Sequence, residues 1–285
     1  MNNPQTSQIG LSIVLYKTDP LILESCANCI LRSTVNADVT IIDNSPDDRI
    51  KTKVIDFGFD YINLKNNPGY GFGHNVAIRR SIDKGLDYHL VLNADVIFQE
   101  DIIEKIKNFM DANAKTALTM PKILNPDGTI QRLCKLVPTP ADLFVRRFLP
   151  NFLAKGMRSK FELWSSGYNK TMFVPYLSGC FMFLRCSALK EVGIFDERFF
   201  MYPEDIDLTR RLAEKFDTVF YPYTSVTHEH GAASYKSFRM LVIHIYNLFK
   251  YFNKWGWFID EGRSRLNQRT LRELKNKALQ QKNGR

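Results

Sequence analysis

Residues 9–43 read IGLSIVLYKTDPLILESCANCILRSTVNADVTIID, and the architecture follows from them. The run 9–16 is compact and apolar, with the length of a buried strand. Asp19-Pro20 then offers an N-cap and a proline at the first helical position. Leu23, Cys26, Ala27, Ile30 and Leu31 recur at i, i+3, i+4 spacing, which makes a helix packed on one side. A second short strand, 38–43, completes a strand–helix–strand unit, and Asn44-Ser45-Pro46-Asp47 turns the chain.

The same alternation continues outward. A strand near 60–64 runs into a glycine-dense loop and a helix near 75–84 closed by Gly85. A buried strand at 88–93 follows, and Ile102, Ile103, Ile106, Phe109 and Met110 mark the next helix. Strands separated by helices of this length give βαβ units, hence an α/β fold with a mostly parallel central sheet flanked by helices. In such sheets ligands bind beyond the carboxyl ends of the strands. That places Tyr16, Asp43, Asn67, Asn93 and Asp95 at the candidate crevice.

The stretch 126–175 changes character. Pro126, Pro138, Pro140, Pro150 and Pro175 punctuate it, with Arg146, Arg147, Phe148, Phe152, Arg158, Phe161 and Trp164 between them. It reads as a long surface excursion, a lid or acceptor loop. Regular structure resumes with a strand at 176–185, a short helix ended by Gly193, a helix over 204–216 and a strand at 218–222. The expected division is a first half of one domain (1–125), a second half (126–235) and a tail (236–285).

Composition bounds the function classes. With 285 residues, 45% hydrophobic and 24% charged, the chain buries a sizeable core. Five Cys are an odd number in a long chain, which argues against a disulfide scaffold, and Cys26 and Cys29 read as one helix face. No signal peptide and no apolar run of about 18 residues is visible, so the expected location is cytoplasmic. The net charge of +9 is confined to the tail: residues 236–285 hold twelve Lys/Arg against three acids, and the first 235 residues balance. Within the tail, Leu241, Ile245, Leu248, Phe249 and Phe252 recur at helical spacing with Lys250 and Lys254 elsewhere on the wheel. Two readings fit: an interfacial helix on an anionic membrane surface through residues 238–285, or a terminal helix docked on the core with a solvated basic end. No nucleic-acid motif accompanies the charge, so nucleic acid is not an expected partner.

Four segments could carry chemistry. The loop 66–75, NNPGYGFGHN, sets Gly69, Gly71 and Gly73 before a helix, where backbone can approach a diphosphate closely. It is neither the dinucleotide fingerprint nor a P-loop, and a tight turn without function explains it equally. Asp95 ends a buried strand, where it suits either an Asx-turn or a divalent cation shared with substrate phosphates. Glu204, Asp205 and Asp207 open a helix; capping explains part of the cluster, and a general base explains the rest. His228 and His230 follow a strand and face one way if extended, as structural residues or as metal ligands.

Together, IVLYKTD, IIDNS, NNPGYGFGHN, VLNADV, LSGCFMFLR, LKEVGIFDERFFMYPEDIDLTRRL and VTHEHGAAS resemble, in order, a bacterial family 2 glycosyltransferase of the GT-A fold. The likeness is to the rhamnosyltransferase-like branch that builds O-antigen and capsule chains; it covers about residues 8–235 and is most specific over 178–212. The resemblance implies transfer of a sugar from a nucleotide-sugar donor to an acceptor hydroxyl with inversion, using Mg2+ or Mn2+. By position it implies that Tyr16 and Asp43 line the nucleobase pocket, and that Asn67 and the loop 71–75, with Gly71, Gly73 and Asn75, flank the nucleotide. It implies Asn93 and Asp95 in the place of an Asp-x-Asp motif, with Asp95 and His228 as metal ligands. Asn93 departs from the stricter pattern, which weakens metal binding or leaves it to the diphosphate and His228. Asp205 is then the catalytic base and Glu204 an acceptor contact or helper. The implied partners are a dTDP- or UDP-linked sugar, with dTDP-rhamnose preferred over UDP-galactose, UDP-glucose or UDP-N-acetylglucosamine, and a glycan acceptor on a polyprenyl diphosphate. The tail would hold such an enzyme peripherally at the inner face of the membrane. The rival is a non-catalytic nucleotide-sugar-binding protein of the same fold, favoured only by Asn93; a nicotinamide oxidoreductase lacks its glycine fingerprint.

Overall fold

The computed structural model describes residues 8–143, 151–229 and 238–283. The opening unit forms as expected: β1 (Ile9–Leu15), α1 (Pro20–Leu31) and β2 (Ala37–Asp43), with β1 and β2 parallel from Ile9 beside Ala37 to Leu15 beside Asp43. Asp19 caps α1 by accepting from Leu21 N at 2.9 Å. Leu23, Cys26, Ala27 and Ile30 are buried, whereas Leu31, expected beside them, is exposed. Cys26 and Cys29 lie in the buried face as free thiols, and burial pushes the Cys26 thiol up.

Next come α2 (Lys51–Asp56), β3 (Asp60–Asn63), α3 (Tyr70–Asp83), β4 (Tyr88–Leu92), β5 (Val96–Ile97) and α4 (Ile102–Asp111). β3, β2, β1 and β4 lie side by side and all run parallel. β1 and β4 are buried along nearly their whole length, because helices cover both faces of a parallel sheet.

The chain from β6 onward contributes β6 (Thr116–Leu124), β7 (Cys134–Lys135), α5 (Asn151–Phe161), β8 (Met172–Phe173), β9 (Tyr176–Leu177), β10 (Phe181–Arg185), α6 (Cys186–Val192), α7 (Glu204–Lys215) and β11 (Asp217–His228). The large sheet runs β3-β2-β1-β4-β10-β6-β11-β5, and β8 also pairs with β11. β10 is antiparallel to both neighbours, and β6 and β11 are parallel. The sheet is therefore parallel over β3-β2-β1-β4 and mixed beyond β4. The single strand expected over 176–185 is two: β9 pairs with β7, β10 enters the large sheet, and Gly179 sits in the break.

Where it is described, 126–175 is no loose excursion. Cys134, Val137, Phe161, Leu163 and Tyr168 are buried, and the Tyr168 hydroxyl donates to Glu162 O at 2.8 Å. Phe161, taken for part of a surface loop, is core here, because the segment folds back over β11. Arg146, Arg147 and Phe148 lie outside the described residues.

The tail forms α8 (Phe238–Trp255) and α9 (Glu261–Asn283). α8 docks through Asn247, Tyr251 and Phe252, all buried. Arg210 of α7 holds Asp260 with two bonds of 2.7 and 2.5 Å and stacks 3.9 Å from the Trp255 ring. On α9, the Asn267 side chain accepts from Val137 N at 2.8 Å and donates to Val137 O at 3.0 Å. Some of the basic charge is used internally: Arg265 pairs with Glu214, and Arg269 with Asp217 and Glu273. The outer side of α8 leaves Phe238, Val242, Ile245, Tyr246 and Phe249 exposed, and Phe258 and Ile259 after it are 87% and 88% exposed. Among the described residues, no helix is long and apolar enough to cross a membrane.

Candidate active site

β4 ends at Leu92, and Asn93 and Asp95 follow in the turn into β5. β5 pairs with the end of β11, setting His228 opposite Val96, and Glu229 N donates to Asp95 O at 3.0 Å. This pairing brings His228 Nε2 to 3.3 Å from Asp95 Oδ1 and 3.3 Å from Asn93 Nδ2. On the other edge of the ring, Gln131 Oε1 lies 3.0 Å from His228 Nδ1, and Gln131 Nε2 donates to His228 O at 2.7 Å. Asn93 Oδ1 lies 3.0 Å from the Tyr70 hydroxyl, which is 2.8 Å from Gly179 O. The phenol has one proton to share between these two oxygens, and burial, reinforced by Glu204, holds that proton far more tightly than usual.

Glu204 and Asp205 open α7. Asp205 accepts from Ile206 N at 2.8 Å through Oδ1 and from Gly179 N at 3.1 Å through Oδ2. Gly179 thus bonds Asp205 with its N–H and Tyr70 with its carbonyl, so one residue ties the end of β4 to the start of α7. Glu204 is only 5% exposed, and its Oε2 has no hydrogen-bond partner. Burial first, and the neighbouring Asp205 second, push its carboxyl well above the usual range. Glu204 therefore turns inward, with its carboxyl biased toward the protonated form. Asp207, the third acid, is fully buried and takes Lys254 Nζ at 2.6 Å, Trp255 Nε1 at 2.8 Å and Arg211 Nε at 2.8 Å. It fastens α8 to α7.

At the far end of β1 and β2, Asp43 is buried and accepts from Ser45 N and from the Tyr61 hydroxyl, each at 2.9 Å. A small cleft of about 60 Å³ opens there, lined by Leu15, Lys17, Asp43 and Ser45 among others; Tyr16, between Leu15 and Lys17, is half exposed. Asn67 accepts from Asn44 Nδ2 at 3.3 Å. The glycine segment differs from expectation. α3 begins at Tyr70, so Gly71, Gly73 and Asn75 are helical and not in a loop. A Cβ on Gly73 would lie 2.7 Å from Val14 Cγ2, so this glycine lets α3 sit close on β1. The Asn75 side chain is buried and clamps the backbone of Phe195, accepting from its N at 3.0 Å and donating to its O at 2.9 Å. Each of these positions thus has a packing role: Gly73 against β1, and Gly71 and Asn75 against Phe195. The glycine with a constrained backbone is Gly69, at φ +116°, where a Cβ would fall 2.3 Å from Phe200 O. Tyr70 N donates to that same carbonyl at 2.9 Å, which ties α3 to the approach to α7.

Tyr70, Gly179 and Gln131 were not among the expected site residues. Tyr70 and Gly179 lie inside quoted motifs, whereas no local signal marks Gln131. His230 lies outside the described residues. Among the described residues, no three His, Cys, Asp or Glu converge on a point that would cage a metal. Asp95 and His228 present one carboxylate and one imidazole nitrogen, an open donor set that fits a cation completing its shell with phosphate oxygens and water.

A family profile described as "Glycosyltransferase like family 2" matches residues 58–243. Over 243 residues, the chain is 26% identical to the N-acetylglucosaminyl-diphospho-decaprenol L-rhamnosyltransferase of Mycobacterium tuberculosis, covering 78% of this chain and 76% of that one. It is 27% identical to rhamnosyltransferase WbbL of Escherichia coli, covering 68% and 73%. Its fold overlays that of the mannosyltransferase PcManGT from Pyrobaculum calidifontis, solved with GDP-Man and Mn2+, with a TM-score of 0.57 at 13% identity, covering 87% of this chain and 66% of that one. Another solved neighbour is longer still, and the chain spans 38% of it. The chain belongs to the family 2 glycosyltransferases and has their GT-A fold.

Proposed function

We propose that this glycosyltransferase moves L-rhamnose from dTDP-rhamnose to a hydroxyl of a glycan carried on a polyprenyl diphosphate, with inversion, in the building of surface polysaccharide. The carrying observation is the Gly179 bridge, which holds Asp205 and the Tyr70–Asn93 pair at one crevice beyond the strand ends. The rhamnosyl and decaprenol-linked chemistry in the relatives' names supports the sugar and the carrier.

In this reading residues 1–125 form the donor half and residues 126–235 the acceptor half. Asp43 and Tyr16 receive the nucleobase at the small cleft, and Asn67 flanks the nucleotide. Asp95 and His228 hold Mg2+ or Mn2+. When bound, that cation neutralises the charge that grows on the departing nucleoside diphosphate. Asp205 takes the proton of the acceptor hydroxyl as its oxygen attacks the anomeric carbon from the face opposite the leaving group. Glu204 keeps its own proton, so the acid pair carries one negative charge. Asn93 is explained by its neighbours: an amide serves Tyr70 and His228 at once, whereas an ionised acid has nothing to donate to His228 Nε2. The exposed apolar side of α8, continued by Phe258 and Ile259 beside a basic helix, supports contact with an anionic lipid surface at the inner face of the membrane.

Thermal unfolding across dTDP, UDP and their sugars, with and without Mn2+, tests the donor site. A ligand at about 100 times its dissociation constant adds about 2.7 kcal/mol. A Mn2+-dependent rise with dTDP-rhamnose, lost in Asp95→Ala, is expected; no rise with any nucleotide sinks the reading. For the tail, flotation with phosphatidylglycerol vesicles at low salt should carry the protein upward, and protein left behind at low salt overturns the membrane contact.

A further inference from the structure

We propose that Gln131 is a positioning residue: it fixes which nitrogen of His228 carries the proton, and so sets the affinity of the Asp95–His228 pair for a divalent cation. This rests on reading that pair as the cation site.

Gln131 arrives from a hairpin that returns over the end of β11. After β6, the turn closes with Asn125 N donating to Thr129 O at 2.8 Å, Gly128 adopting φ +81°, and Ile130 bridging back to Leu124. Gln131 N then donates to Ile123 O at 2.9 Å, which pins its backbone beside His228.

An amide has one end that donates and one that accepts. A backbone carbonyl only accepts, and His228 O lies 2.7 Å from the Gln131 amide nitrogen. Reversing the amide would press two oxygens together at that distance. Gln131 Oε1 therefore faces His228 Nδ1 at 3.0 Å, and an acceptor there calls for N–H on Nδ1. In the neutral ring the Nε2 atom is then the acceptor. It takes the Asn93 amide at 3.3 Å and turns its lone pair toward Asp95 Oδ1, also at 3.3 Å. Two electron-rich atoms held that close repel each other until a cation joins them. A hydrogen bond to the far nitrogen selects this tautomer and makes the near nitrogen a better ligand.

Two readouts, neither of them turnover, test the proposal. Long-range 1H–15N NMR of the metal-free protein at about pH 8, above the ordinary imidazole pKa of about 6.5, reports the tautomer of His228. Electron paramagnetic resonance of free Mn2+, titrated alone and with dTDP, reports affinity. In the unmodified protein we expect the proton on Nδ1. Gln131→Met should lose that preference and weaken Mn2+ binding about 10–100-fold. A proton on Nε2 in the unmodified protein overturns the proposal even if Gln131→Met fails to fold. So does Gln131→Met binding Mn2+ as tightly as the unmodified chain. If the unmodified chain binds no Mn2+ with or without dTDP, the cation reading fails, and the NMR result still shows whether Gln131 sets the tautomer.

Discussion

Glu204 and Asp207 are buried acids one turn apart on the same helix, and the chain treats them in opposite ways. Asp207 has two cations and an indole N–H around its carboxylate. Glu204 has an oxygen with no donor and a carboxyl pushed well up by burial and by Asp205. Surrounding a buried acid with cations turns it into a fastener, here between α7 and the tail. Denying it cations keeps it neutral, and leaves the charge of the pair to Asp205 at the crevice. In the proposed mechanism the acidic start of α7 is thus two devices: 204–205 for chemistry, and 207 for assembly.

The largest expected effect separates the two devices. Asp205→Asn should lower glycosyl transfer about 10²–10⁴-fold, the usual worth of a general base. It should leave nucleotide binding and the urea midpoint near those of the parent. Retained turnover would show that 204–205 is not the chemical end of the helix. Asp207→Asn should do the reverse. It leaves Lys254, Arg211 and Trp255 facing a group with no charge, and loss of one partner of a buried ion pair costs about 3–5 kcal/mol. Urea unfolding should show a lower midpoint with an unchanged slope, with a smaller effect on turnover of the remaining folded protein. A stability loss below about 1 kcal/mol would mean that Asp196, which also holds Lys254 at 2.8 Å, carries the junction.

The contrast between the acids was only half legible in the sequence. ED-x-D before a helical repeat announces a cluster, and Arg211 is a local partner, but Lys254, 47 residues away on α8, leaves no local trace. In the βαβ half, β1 to β4 were read to within a residue, because each carries its own pattern and stop signals, whereas α2 and β5 were missed and α3 starts five residues earlier than expected. β6 was missed: its run 116–124 contains Pro121, lacks alternation, and is a strand only because β10 and β11 flank it. The helix start among the glycines of 69–73 was placed too late for a physical reason. Small residues at a helix start serve a phosphate or a close strand equally well, and the packing of Gly73 on Val14 is visible only in three dimensions. The expected metal and base positions came from ordered motifs. Tyr70, Gly179 and Gln131 act across separations of 23, 109 and 97 residues, beyond the reach of any window.

The smallest effect tests the neutral state of Glu204 directly. A folded carboxyl that titrates above its ordinary value of about 4.3 holds a proton that the unfolded chain has released. Its contribution is fully present below that value, and is lost as pH rises toward the raised folded value, because over that window the native state binds more protons than the unfolded one. The slope is at most about 1.4 kcal/mol per pH unit for one proton. Glu204→Gln keeps the shape and has no proton to lose. Chemical unfolding at a series of pH values from about 4.5 upward should therefore show the parent falling relative to Glu204→Gln as pH rises. The same series in Asp205→Asn should show a shallower or narrower fall, since Asp205 is the second cause of the raised value. Parallel curves for the parent and Glu204→Gln would mean that Glu204 is charged in the folded protein. The distinction between the two buried acids would then lie in their partners alone, not in their protons.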